Sequence, residues 1–137
     1  MNIYNPLNSI SYQAIGKMTN AHAHLDRAYT LTKKDFLNSN INKHLFEKWK
    51  IVENIKKQSS EHDYYLRIMQ AAEYQYDFGI RNILTFIDLD EYAEERALKA
   101  AIKVKDHMKR TYGVNLIIAN QTMSGVTSPK MKKMIEK

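Results

Sequence analysis

The chain has 137 residues, 44% of them hydrophobic, enough for one globular domain of ordinary burial. It contains no cysteine, which excludes disulfides and thiolate metal sites, so any metal must be held by imidazole and carboxylate. The net charge of +6 is spread along predicted helix faces beside acids and has no alternating aromatic partners, which argues against a nucleic-acid platform.

Residues 1–16, with Asn, Ser and Pro and little periodicity, read as an irregular N-terminal arm. They lack a basic stretch followed by an apolar core, so no secretory signal is expected. No apolar run approaches the roughly 18–20 residues needed to span a bilayer. A cytoplasmic location is the default expectation.

Lys17 to Ala23 read as the first strand, running into Asn20-Ala21-His22-Ala23-His24-Leu25-Asp26-Arg27. Side chains alternate along a strand, so His22 and His24 share one face. Two imidazoles on one face can chelate a divalent ion at about 2.0–2.1 Å per nitrogen, and the spacing also suits two surface histidines. Asp26 and Arg27 could fix the following loop by an ion pair. Residues 25–40 form a long strand-to-helix excursion, of a length that often marks an active-site cover.

Ile41, Leu45, Trp49, Val52 and Lys56 follow at helical spacing, with Trp49 expected in the core. Ser59 and Ser60 offer N-caps for a second helix, with Glu61 and Asp63 in its first turn. Tyr65, Met69, Ala72 and Tyr76 mark its apolar face, and Gly79 is placed to end it. Ile83 to Ile87 is a continuous β-branched and aromatic run, as expected for a strand buried on both faces. It ends in Asp88-Leu89-Asp90-Glu91. Leu98, Ala101, Ile102, Lys105, Met108 and Tyr112 continue as a helix stopped by Gly113. Val114 to Ala119 is a third strand, closing on Asn120-Gln121-Thr122 and Gly125, and Lys130 to Glu136 a last helix.

Strands alternating with helices are the grammar of a parallel sheet. In such a sheet His22 and His24, Asp88 and Asp90, and Asn120 and Gln121 all fall at strand C-terminal ends, where chemistry gathers. His44, His62 and His107 lie in predicted helices or at their starts and do not join that set. Asp88 suits capping the next turn, orienting a metal-bound histidine, or contacting substrate. An amide such as Gln121 can donate and accept at once.

The wording His22-Ala-His-Leu-Asp-Arg-Ala-Tyr-Thr30 resembles the first metal motif of the amidohydrolase superfamily. It is most similar to the cytosine-deaminase-like branch, in which a strand ends His-x-His-Leu-Asp-Lys/Arg. Gly79 to Asp88 resembles that branch's second barrel strand, and Leu116 to Gln121 its third. The resemblance implies an α/β fold with the first three βα units of a (β/α)8 barrel over residues 17–137, incomplete in this chain. It implies a zinc or iron cofactor with His22 and His24 as metal ligands. Gln121 and Asp88 would then bind a small-molecule substrate, with Asp26 and Arg27 supporting the loop. The reaction implied is hydrolysis of a C–N bond in a cyclic amide, amidine or aminopyrimidine by metal-activated water.

Two features depart from the family pattern. Only 21 residues precede His22, where many members carry a sandwich-forming stretch. The later-strand ligands are also absent, since a full barrel takes roughly 250 residues. The chain would then be the N-terminal part of a longer enzyme, be completed by a second chain, or be a non-catalytic half-barrel serving as an interaction subunit.

Overall fold

A computed structural model describes residues 18–31, 44–122 and 129–136. The arm read over 1–16, most of the loop read over 25–40 and the turn through Gly125 lie outside these residues. The elements in order are β1 (Met18–Ala23), a 3-10 turn (Leu25–Arg27), α1 (Leu45–Gln58), α2 (Glu61–Asp77), β2 (Ile80–Asp88), α3 (Arg96–Tyr112), β3 (Asn115–Gln121) and α4 (Pro129–Ile135).

Helix boundaries follow local chemistry. At the start of α2 the Asp63 amide donates to Ser60 Oγ at 3.1 Å, and the Ser60 amide donates to the Asp63 carboxylate at 2.7 Å. This reciprocal pairing satisfies two amides that the first turn leaves open. α3 ends where Gly113 turns left-handed at φ 65°, a conformation glycine enters without a Cβ clash.

The three strands are parallel and lie in the order β1-β2-β3. α2 presents Tyr64, Ile68, Met69, Ala71 and Ala72, and α3 presents Ala97, Ala100, Ala101, Val104 and Met108, each at helical spacing. These two stripes pack on each other and on Ile83, Ile87, Val114 and Leu116 to form the core. The alanines of α3 let its backbone approach the sheet closely. Tyr64 rather than Tyr65 is the fully buried tyrosine of α2. On the opposite sheet face Leu84 and Phe86 are half-buried and Ile117 is exposed.

The expectation of three βα units of a (β/α)8 barrel is corrected by this architecture. The sheet is small, open and three-stranded, with α1 and α2 both inserted between β1 and β2. Continuous apolar strands alternating with amphipathic helices read the same in any layered parallel sheet. The pattern reports burial and strand direction but carries no signal for closure.

β1 is irregular. Asn20 pairs with Ile83 and Ala23 with Thr85, so β1 advances three residues while β2 advances two. This bulge sends Asn20 toward the helices, where its side-chain amide donates to Gln75 Oε1 of α2 at 3.0 Å. Ala23 also packs against the core. His22 and His24 are left on the other face.

Candidate functional site

His22 and His24 come together as the strand alternation predicts. Their Nε2 atoms are 3.2 Å apart, with ring centroids at 5.2 Å and planes inclined by 62°. Both rings lie against Phe86 of β2, at 5.0 and 5.6 Å between centroids. His22 is exposed and His24 half-buried. Burial lowers the His24 pKa, and the nearby charges of Arg27 and His22 lower it further against the opposing pull of Asp88. A neutral imidazole is the form that offers a lone pair to a metal.

The fit to a divalent ion can be judged from this spacing. Two nitrogens 3.2 Å apart subtend roughly 100° at an ion about 2.0–2.1 Å from each, close to the tetrahedral angle. The pair therefore fits as two ligands. Among the described residues, however, no group of three or more His, Asp or Glu side chains is placed to hold an ion. The remaining ligands of any such centre are not among the described residues.

Beside the histidines lies a buried charge cluster at the C-terminal ends of β1 and β2. Asp88, 1% exposed, receives Arg27 Nε on Oδ2 at 2.9 Å and a second guanidinium nitrogen on Oδ1. Lys56 Nζ, from the last turn of α1, sits 2.7 Å from Asp88 Oδ2 and 2.5 Å from Asp90 Oδ2. Burial alone would raise the Asp88 pKa, but the hydrogen bonds from Arg27 and Lys56 outweigh it and hold the carboxyl below its usual range. Asp26 is also buried, and its Oδ2 accepts from the Asp88 amide at 2.9 Å. Burial, together with the charge of Asp88, pushes the Asp26 pKa up to about 6.

The pairing differs from the expected Asp26–Arg27 loop clamp. Arg27 turns to Asp88, while Asp26 serves the backbone of β2. Nor does Asp88 cap the turn after β2. That role belongs to Asp90, whose Oδ1 accepts from the amides of Tyr92 and Ala93 at 3.0 and 2.8 Å. Gln121 stands opposite Asp88 in the β2–β3 register, and its carbonyl accepts from the Leu89 amide at 2.9 Å. The three strand tips are therefore adjacent, as the parallel reading requires.

Trp49 is not in the core; it is 45% exposed and meets Phe46 edge to face at 5.4 Å. His44 stands at the N-cap position of α1, its amide donating to Glu47. His62 is exposed beside Tyr65, and His107 is half-buried near Tyr112. Among the described residues none of these three joins the histidine pair in a group able to hold an ion. Two contributors escaped the sequence reading. Lys56 was legible only as a cation ending an apolar stripe, and Phe86 only as the aromatic residue of a neighbouring strand.

No family model matches the chain. A protein of Haemophilus influenzae described as uncharacterized is 37% identical to it over 124 residues. That match covers 88% of this chain and 43% of the relative, so the chain spans less than half the relative's length. Among the described residues no helix is long and apolar enough to cross a membrane.

Proposed function

We propose that this chain is part of a metal-dependent hydrolase acting on C–N bonds of a cyclic amide, amidine or aminopyrimidine. The observation that carries the reading is the convergence of His22 and His24, Nε2 to Nε2 at 3.2 Å. The resemblance of residues 22–30 to an amidohydrolase metal motif supports it. A bound zinc or iron ion would supply the chemistry by lowering the pKa of water toward about 7.

This chain's residues hold and surround the ion in that reading. His22 and His24 bind, Phe86 walls one side of both rings, and the Arg27–Asp88 pair fixes the segment that follows His24. Gln121, at the neighbouring strand tip, would meet an amide edge of substrate. Further ligands and the proton-transfer group would come from polypeptide beyond this chain, in keeping with a relative more than twice as long as the matched region.

Zinc titration by calorimetry, on the chain and on His22→Ala and His24→Ala, tests the metal half. Each variant is expected to lose zinc binding; equal binding by all three sinks the reading. Hydrolysis of cyclic amides and aminopyrimidines by the full-length relative tests the other half.

A second reading, a non-catalytic subunit completed by another polypeptide, is favoured by the open sheet face with Ile117 48% exposed. It expects stoichiometric complex formation without turnover.

A further inference from the structure

Helix α1 is attached to the rest of the fold in an unusual way. Among its described side chains only Lys56 is buried, while Phe46 and Trp49 remain in solvent. A helix of 14 residues ordinarily docks through an apolar stripe. Here the links are polar. Lys56 sits between Asp88 and Asp90, Lys57 Nζ lies 4.6 Å over the Tyr92 ring, and Arg96 donates to the carbonyls of Lys57 and Ser59. The carboxylate that receives Lys56 is the one that receives Arg27. Arg27 belongs to the 3-10 turn that leaves His24, where the Arg27 amide donates to the His24 carbonyl at 3.2 Å.

We propose that Lys56 is a positioning residue for the histidine pair. Through the shared Asp88 carboxylate it holds Arg27 and the turn after His24, and through the same contact it docks α1 over the strand tips. The proposal rests on the metal-site reading for its purpose and on the ion-pair geometry for its mechanism. Removing the ammonium leaves Asp90 buried without its cation and Asp88 with Arg27 alone, which destabilises this cluster ahead of the apolar core.

Amide hydrogen exchange on the whole chain tests it, with Lys56→Met, Lys56→Arg and Asp90→Asn. In Lys56→Met, exchange in 45–58 and in 24–28 accelerates by about tenfold or more, while α2, α3 and β2 keep their protection. Lys56→Arg restores both segments. Asp90→Asn leaves the Asp88 bridge in place and loosens 45–58 alone. Zinc affinity falls in Lys56→Met and returns in Lys56→Arg. Wild-type protection of 24–28 in Lys56→Met, or loss of protection everywhere in both Lys56→Met and Asp90→Asn, overturns the proposal. So does unchanged zinc affinity in Lys56→Met, whereas an unaltered chain that takes no zinc overturns the metal reading itself.

Discussion

Arg27 and Asp88, 61 positions apart in the chain, form a two-pronged ion pair that joins the turn after β1 to the end of β2. Asp88 is almost wholly buried, and it has Lys56 as a second cation. Removing its charge leaves Arg27 without its carboxylate partner and Lys56 with Asp90 alone.

Asp88→Asn is therefore expected to be among the most damaging single changes at the strand tips. Breaking a buried pair costs about 3–5 kcal/mol. Arg27→Ala should cost less, because that side chain is partly exposed and Lys56 still neutralises Asp88. Urea unfolding at neutral pH gives both values; equal costs for the two variants would contradict the assignment.

The same carboxyl fixes a pH dependence. Its pKa is depressed in the fold, so the unfolded chain takes up its proton first as acidity rises. The stabilisation is complete above the ordinary carboxylate pKa of about 4 and is lost as pH falls below it. Thermal melts from neutrality to pH 3 should show the wild type losing its advantage over Asp88→Asn. Parallel curves for the two proteins would argue against a depressed pKa.

Ile87 is fully buried where β2 meets the helices. Ile87→Ala should cost about 2–5 kcal/mol through lost transfer energy and an unfilled cavity. Ile117→Ala, on the open face, should stay within about 1 kcal/mol, a contrast that denaturant melts resolve.

Gly113 has open space where a Cβ would stand, so Gly113→Ala meets no neighbour. Its cost comes from the left-handed backbone alone, about 1 kcal/mol. Gly113→Asn should recover part of this in the same melts, since Asn tolerates that conformation better.

Trp49 is the chain's single tryptophan, and its exposure makes it a probe of α1. Its fluorescence should be readily quenched by acrylamide in the folded protein, and Trp49→Ala should change stability by less than about 1 kcal/mol. A shielded, blue-shifted emission would place the side chain elsewhere.

Much of this was readable in the residues themselves. The Ser60 cap, the Gly113 stop and the alanine stripe of α3 act within a turn or two, so local pattern locates them. The shared face of His22 and His24 follows from strand alternation in the same way. The apolar stripe of α1 misled about Trp49, because periodicity says which residues share a face and not whether anything covers it. The partners of Arg27 and Lys56 were also out of reach. Charges pair across space once the sheet has formed, and nothing near either cation names Asp88. Closure of the sheet was misjudged because strand composition reports burial rather than curvature.

The bulge between Asn20 and Ala23 makes the histidine pair a matter of reading frame along β1. A strand running on from Asn20 in simple alternation, with no bulge, would turn both imidazoles toward the oily side beneath α2 and swing their alanine neighbours outward. The extra residue thus resets the parity between Asn20 and the histidines, and a one-codon deletion of Ala21 would straighten β1 while leaving both rings on the outer face.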